Sequence, residues 1–194
     1  FGNISTFSFY PGKNLGAFGD AGCILTNNEN LSNWCRLYAN HGGKGQHEFE
    51  GINSRMDGLQ AAILNKKIPY LNKWTRERQR IAHVYNKNLK GVGDIILPYV
   101  EGYNEHVYHL FVIKTVYRDR LKEFLNKNHI ATGIHYPVAL PNCNAYQYMR
   151  NKGNSFPNST KNEKHILSIP MYPELSLDNI NYVTDCIKLF FNRI

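Results

Sequence analysis

The first third of the chain alternates short apolar runs with turn residues. Residues 4–10 (ISTFSFY) are rich in β-branched and aromatic side chains and stop at a Pro-Gly pair, which predicts a strand followed by a turn. Residues 22–26 predict a second short strand. Apolar side chains at helical spacing predict a helix over residues 29–39, and the glycine-rich stretch 41–51 predicts a loop.

The longest periodic segment covers residues 57–89, where apolar side chains recur at roughly helical spacing. Pro69 lies inside this segment and is expected to kink or interrupt the helix, because proline lacks the N–H that an inner turn requires. After residue 91 the pattern changes to short strands and shorter helices. The elements predicted there are strands over 95–100, 107–115 and 130–136 and helices over 118–128 and 177–191, with a polar stretch over 151–160.

This order of elements predicts a compact α+β domain from about residue 91, whereas the earlier strands are typical of the edge of a different domain. Of the 194 residues, 42% are hydrophobic and 20% are charged, a composition typical of globular proteins. We therefore expect the chain to bury a core without the help of disulfides or metals.

The net charge of +8 agrees with an anionic partner, but the Lys and Arg residues are scattered along the chain. The densest patch, residues 73–80, lies in a helical pattern and indicates a solvated face, so we expect no nucleic-acid binding. Four cysteines without a CxxC pair indicate neither disulfides nor a metal site. Without a recognisable signal peptide or an apolar run near the roughly 18 residues of a membrane span, a cytoplasmic protein without a membrane segment is expected.

Lys13 and Asp20 are the only charged residues among the first 28. Lys13 directly follows the first predicted strand and lies between Gly12 and Gly16, which let a flat ligand approach the backbone closely. A lysine kept away from water becomes an amine nucleophile near neutral pH, as covalent chemistry with an aldehyde requires. The residues alone leave open the alternative of an ordinary surface lysine in a Pro-Gly turn.

Four strings in the chain resemble, in order and spacing, those of a known enzyme family. They are SFYPGKNLGAFGDAGCILTNN, NHGGKGQHEFEGINSRMDGLQAAIL, TGIHYPVALP and LSIPMYPEL. Together they extend over essentially the whole chain and resemble the DegT/DnrJ/EryC1/StrS sugar aminotransferases. The first string resembles the segment that carries the cofactor-binding lysine of that family, which corresponds to Lys13 here.

The resemblance implies an α/β fold, that of the pyridoxal-phosphate (PLP)-dependent transferases of fold type I. Residues 1–57 would form the end of the large PLP-binding domain, residues 58–90 a long connecting helix, and residues 91–194 the small C-terminal α+β domain. The resemblance also implies that glutamate donates an amino group to a nucleotide-linked keto-sugar, and that a homodimer shares its active sites between subunits. The wording HYPVALP resembles the subgroup that aminates carbon 3 of dTDP-linked 6-deoxy keto-sugars.

The same resemblance assigns roles around the cofactor. Lys13 binds PLP and then moves a proton between the cofactor and the amino donor or the sugar. Ser8 resembles the ligand of the cofactor phosphate, and Asn53 resembles the residue that reaches this phosphate from the neighbouring subunit. Arg55 is a candidate partner for a carboxylate or phosphate, with a salt bridge to Asp57 or another acid as the alternative.

His135 and Tyr136 lie in the string that, by resemblance, faces the sugar, where a histidine would bond a hydroxyl or phosphate. A histidine satisfied within the fold is the alternative for His135, as a satisfied strand serine is for Ser8. Many relatives carry a histidine five residues after the tyrosine, where this chain has Pro141. That histidine's role is therefore not carried over.

The family is about twice as long as this chain, so the residues that pair with the pyridine nitrogen and stack on the ring are expected elsewhere. We therefore expect the chain by itself to be inactive. Relatives that act as PLP-dependent sugar dehydratases replace the lysine by histidine, and Lys13 argues against that alternative. A non-catalytic binding or dimerisation module is a second alternative, which the charge of +8 keeps open.

Overall fold

The computed structural model describes residues 2–43, 45, 47–150 and 156–194. The chain divides into two compact units, Phe1–Trp74 (unit 1) and Thr75–Ile194 (unit 2). The boundary falls within a single long helix, α3 (Leu71–Leu89). Helices and strands occur in both units, which confirms the predicted α/β class. The predicted domain limits at residues 57 and 90 remain predictions.

Unit 1 consists of a two-stranded antiparallel sheet followed by helices. Its elements are β1 (Ser5–Ser8), β2 (Gly22–Leu25), α1 (Glu29–Tyr38), α2 (Gly58–Lys67), the 3-10 turn Ile68–Tyr70 and the start of α3. In the sheet Ser8 lies opposite Gly22. Helix α1 begins after Asn28, whose Oδ1 accepts a hydrogen bond from the N–H of Leu31 at 3.1 Å. Pro69 lies in the 3-10 turn between α2 and α3, so the predicted interruption is confirmed.

Unit 2 packs its helices around a second antiparallel pair of strands. Its elements are the rest of α3, β3 (Phe111–Lys114), α4 (Arg118–Lys127), the 3-10 turns Leu140–Asn142 and Asn144–Tyr146, α5 (Gln147–Arg150), α6 (Pro157–Asn162), β4 (Ile166–Ile169) and α7 (Leu177–Phe191). Side chains from α3, β3, α4, β4 and α7 form one apolar core. Its fully buried members include Ile81, Tyr85, Phe111, Leu121, Leu167 and Ile187.

Three strands predicted in unit 2 were wrong or too long. Residues 95–100 make a single bridge, Ile96 to Lys114, and Pro98 in this stretch cannot donate to a sheet. The stretch 107–115 contributes only β3, because Tyr108 has a positive φ of 41°, which breaks an extended backbone. Residues 130–136 likewise make one bridge, Gly133 to Ser168.

Strand β4 and helix α6 were missed by the sequence pattern. Four residues of β4 are too few to show an alternation, and all but its first residue are buried. Their partner strand β3 is more than fifty residues away along the chain, which local periodicity does not register. Helix α6 begins within the stretch 151–160, for which only a polar character was predicted. The part of that prediction over residues 151–155 lies outside the described residues. Among the described residues, no helix is long and apolar enough to cross a membrane.

Candidate active site

Lys13 lies in a closed loop that connects the two strands of unit 1. The N–H of Ala17 donates to the carbonyl of Phe9 at 2.8 Å, which closes the loop, and the N–H of Lys13 donates to the carbonyl of Tyr10 at 2.8 Å. A Cβ on Gly16 would lie 2.3 Å from the carbonyl oxygen of Pro11, so the two sides of the loop touch only because residue 16 is glycine. The side chain of Lys13 is half-buried.

Ser8 ends β1, one residue before this loop begins. Its side chain is exposed, and its Oγ accepts a hydrogen bond from the N–H of Tyr10 at 3.3 Å. The hydroxyl hydrogen is therefore left to donate to an external acceptor such as a phosphate oxygen. A Cβ on Gly12 would meet nothing within 4 Å, so there is open space beside Lys13. The amine of Lys13, the hydroxyl of Ser8 at the end of β1 and the open space beside Gly12 are features that suit a phosphorylated aldehyde as ligand.

Asn53 and Arg55 lie on the loop that follows α1, where both are exposed. Asn53 makes a backbone bridge with Asn40, and the Nη1 of Arg55 donates to the Oδ1 of Asn40 at 2.6 Å. No ion pair joins Arg55 to Asp57, both of which the structure describes. The guanidinium therefore keeps further donors for a ligand.

Two glycines of the loop that follows α1 lie where a side chain would clash with the backbone. The N–H of Gly42 donates to the carbonyl of Leu37 at 2.9 Å, and a Cβ on Gly42, which has a φ of +78°, would lie 1.6 Å from the carbonyl oxygen of Phe49. A Cβ on Gly51 would lie 2.3 Å from the nitrogen of Gly42. The described glycines of this loop therefore pack tightly against the end of α1, and this packing fixes the path of the chain that leads to Asn53. Residues 44 and 46 of the predicted loop lie outside the described residues.

His135 lies in unit 2, where its Nδ1 is 2.9 Å from the Oγ of Ser168. Ser168 is buried on β4, and a Cβ on Gly133 would lie 2.5 Å from the Cε1 of His135, so the ring rests on a glycine. The bond commits Nδ1 to Ser168 and leaves Nε2 for an external partner. The next residue, Tyr136, is 70% exposed. The hydrogen bond to Ser168 satisfies one nitrogen of His135 within the fold, which is part of what the alternative of a structural histidine requires.

An open groove of about 750 Å³ in unit 2 begins at these two residues. Its apolar wall is formed by Val112, Pro137, Val138, Leu140, Pro141 and Ile166. Glu163 holds one side of it, since its Oε1 accepts hydrogen bonds from the N–H of Ala139 at 2.5 Å and from the Nδ2 of Asn142 at 2.7 Å. These two bonds lower the pKa of the Glu163 carboxyl below its ordinary value.

Sequence reasoning missed Ser168 and Glu163. Ser168 stands in one of the four strings, but its pairing with His135 depends on a bridge between residues 35 positions apart. Glu163 carries no motif of its own. The six predicted residues form three local sets: Ser8 directly precedes the loop that carries Lys13, Asn53 and Arg55 both contact Asn40, and His135 and Tyr136 are neighbours in unit 2.

Comparison with known proteins gives one family. The model of the DegT/DnrJ/EryC1/StrS aminotransferase family matches residues 1–188. A dTDP-3-amino-3,4,6-trideoxy-α-D-glucose transaminase of Streptomyces venezuelae is 35% identical, over 99% of this chain and 51% of its own length. A UDP-N-acetyl-3-dehydro-α-D-glucosamine 3-aminotransferase of Acidithiobacillus ferrooxidans is also 35% identical, over 97% of this chain and 51% of its own length. A pleiotropic regulatory protein of Geobacillus stearothermophilus is 39% identical, over 99% of this chain and 53% of its own length.

Solved structures agree with the sequence comparison. DesV of S. venezuelae superposes with a TM-score of 0.93 at 35% identity, covering 100% of this chain and 53% of that protein. NtdA of Bacillus subtilis, solved with bound cofactor PMP, superposes with a TM-score of 0.88 at 30% identity, covering 99% of this chain and 46% of that protein. The chain thus spans about half the length of the relatives that it matches.

Proposed function

Because the chain belongs to the DegT/DnrJ/EryC1/StrS aminotransferase family, we propose that the protein containing it transfers an amino group from glutamate to a nucleotide-linked keto-sugar, with PLP as cofactor. The observation that carries the proposal is the closed loop of unit 1, which presents the half-buried Lys13 next to open space and directly follows Ser8 on β1. The PMP-bound structure of NtdA supports the choice of cofactor.

PLP supplies an electron sink that stabilises negative charge on the reacting carbon when it is bound. The Nζ of Lys13 would hold the cofactor, and as a free amine it would take a proton from the α-carbon of the amino donor and return it during transfer. The Oγ of Ser8 donates a hydrogen bond to a phosphate oxygen of the cofactor.

The other predicted residues receive the roles that the resemblance implies for them. We assign Asn53 to the cofactor phosphate of the neighbouring subunit in a homodimer, and Arg55 to a carboxylate or phosphate of a substrate, which its planar fork of donors suits. His135 and Tyr136 bind the sugar, with Nε2 of His135 as the hydrogen-bonding atom because Nδ1 is committed to Ser168. We place the enzyme in the cytoplasm, where its nucleotide-sugar substrates would be made.

The sugar itself is a finer part of the proposal. The relatives named above include one named for a dTDP-sugar and one named for a UDP-sugar, so the family name alone does not choose between them. The string HYPVALP favours a dTDP-keto-6-deoxyhexose aminated at carbon 3. The apolar wall of the groove beside His135 suits a methyl group at carbon 6 better than a hydroxyl or carboxylate.

The test uses the full-length protein with PLP, glutamate and a panel of dTDP- and UDP-linked keto-sugars. We expect 2-oxoglutarate to appear in step with an amino-sugar nucleotide, and Lys13→Ala to abolish both. Loss of water from the sugar without release of 2-oxoglutarate would favour the dehydratase alternative. A protein that neither binds PLP nor converts any sugar, but does bind anions in a salt-dependent way, would favour a binding module. Full turnover by Lys13→Ala would overturn the proposal.

A further inference from the structure

Two side chains of α2 hold the backbone of the loop that carries Lys13. The Nζ of Lys67 donates a hydrogen bond to the carbonyl oxygen of Gly16 at 2.6 Å, and the same ammonium lies 4.9 Å from the centroid of the Phe18 ring. The Oε1 of Gln60 accepts a hydrogen bond from the N–H of Phe18 at 2.9 Å. The helix therefore binds one acceptor and one donor of the loop backbone, two residues apart.

These two anchors lie on one face of α2. Gln60 and Lys67 are seven residues apart, which is two helical turns, so their side chains leave the helix in the same direction. Lys67 is half-buried, whereas its neighbour Lys66 is exposed. The hydrogen bond of Lys67 is charge-assisted, which makes it stronger than a bond between neutral groups. The ammonium of Lys67 is thus bound to the loop, and Lys66 offers a matched lysine without this contact.

The anchors reach Lys13 through the packing of the loop on itself. The backbone of Gly16 touches the carbonyl of Pro11, two residues before Lys13, and leaves no room for a side chain. The bond from Ala17 to Phe9 closes the loop directly beyond Gly16. If Gly16 moved away from α2, Pro11 would lose its contact with Gly16. The backbone between Pro11 and Lys13 would then shift, and Lys13 would shift with it.

We propose that Lys67, with Gln60 as a second anchor, is a positioning residue for Lys13. The proposal rests on the proposed function, in which Lys13 carries the cofactor. Lys67 does not touch the reacting atoms. It fixes the loop backbone so that the amine of Lys13 keeps one position with respect to the hydroxyl of Ser8.

The first test compares Lys67→Met, Lys67→Arg, Gln60→Ala and the control Lys66→Met in the full-length protein. Titration with PLP, followed by the visible absorbance of the lysine-bound cofactor, gives its dissociation constant. Lys67→Met should weaken PLP binding about tenfold, the usual worth of one charge-assisted hydrogen bond. Lys67→Arg should restore binding to near the wild-type value, and Lys66→Met should leave it unchanged. In Lys67→Met kcat should decrease by a larger factor than the factor by which the KM of either substrate changes. A displaced Lys13 amine impairs proton transfer more than it impairs substrate binding.

The second test does not depend on the cofactor or on the proposed function. Hydrogen exchange of the chain without PLP reports the amides of Lys13 and Ala17, whose bonds to Tyr10 and Phe9 define the loop. Both should exchange faster in Lys67→Met and in Gln60→Ala than in the wild type or in Lys66→Met. Equal exchange rates in all four proteins would overturn the proposal, even if Lys13 does bind PLP. Should Lys67→Met fail to fold, Gln60→Ala decides the matter by the same two measurements. A wild-type protein that shows no cofactor on Lys13 would instead refute the proposed function. The exchange rates would still decide whether Lys67 and Gln60 hold the loop.

Discussion

Unit 2 buries a continuous apolar core, whereas nearly all large apolar side chains that the structure describes in unit 1 are exposed or only half-buried. Among the described residues, the buried hydrophobic residues of unit 1 are Ala17 and Leu64. Ile24 and Leu25 are adjacent on β2, so they point to opposite faces of the sheet, and they are 49% and 55% exposed. A sheet that is apolar on both faces is normally covered on both.

The two units stabilise the predicted residues in different ways. The residues near the groove stand on a unit with its own core, so His135 and Ser168 are held by packing within the chain. Ser8 and Lys13 stand on a hairpin whose apolar surfaces lack a cover in the described residues. We expect the missing cover to come from other protein, which agrees with a chain that spans about half the length of its relatives.

The largest expected difference concerns hydrogen exchange in the two sheets. Amides of β3 and β4 lie in the core of unit 2 and should exchange only when the unit unfolds, while those of β1 and β2 should exchange through local opening. We expect a protection ratio on the order of a thousandfold, since local opening costs several kcal/mol less than global unfolding. Mass spectrometry or NMR of the chain at neutral pH measures it. Equal protection of the two sheets would contradict the comparison.

Two leucine truncations test the same contrast energetically. Leu121 is fully buried in unit 2, and Leu25 is 55% exposed in unit 1. Leu121→Ala should lower the free energy of unfolding by about 3 kcal/mol through lost burial and a residual cavity. Leu25→Ala should change it by less than about 0.5 kcal/mol, as is usual for surface substitutions. Urea unfolding followed by circular dichroism gives both values, and a large loss in Leu25→Ala would show that unit 1 has a core of its own.

Arg78 is a buried cation that ties parts of unit 2 together. Its Nη1 donates to the carbonyl oxygens of Tyr108, His109 and Met171 at 3.1, 3.2 and 3.1 Å. Burial lowers the pKa of its guanidinium, and the charge of Glu174 opposes this effect. Arg78→Met should cost about 2 kcal/mol of stability because buried carbonyls lose their donor. Arg76→Met, which removes an exposed arginine two residues earlier, is the control, and a shift in melting temperature limited to Arg78→Met is expected.

The smallest expected effect is a local response to acid at Glu163. Its pKa is lowered in the folded chain, so the stability that its charged form contributes is present above the ordinary pKa of 4.5 and is lost as the pH falls through the lowered value. The N–H of Ala139 should therefore lose protection from exchange below about pH 4.5, which NMR detects after correction for intrinsic rates. In Glu163→Gln this loss should be absent, since the amide does not titrate. Identical pH profiles in the two proteins would contradict the role of the carboxylate.

The sequence predicted what depends on neighbours along the chain and missed what depends on distant partners. The helices α1, α4 and α7, the two strands of unit 1 and the interruption at Pro69 all follow from local periodicity, capping and turn residues. Strand β4 could not be found in this way, because four residues carry no period and their pairing with β3 is set by the fold. Tyr108 takes a positive φ that no local rule assigns to a tyrosine, so the strand predicted over 107–115 was too long.

The candidate site divides along the same line. Lys13 was predicted from its isolation among apolar residues and from a resemblance, and the structure adds the loop closure that places it. The links from Lys67 and Gln60 to this loop extend over more than forty residues, and nothing in their local sequence indicates them. Likewise the partner of His135 is a serine on a strand that local patterning did not detect.

The most direct test of the central claim is to locate the cofactor chemically. The full-length protein is incubated with PLP, reduced with borohydride, digested and analysed by mass spectrometry. We expect one modified peptide, with the reduced cofactor attached to Nζ of Lys13, and no adduct in Lys13→Ala. A cofactor fixed on another lysine, with the peptide of Lys13 unmodified, would contradict it.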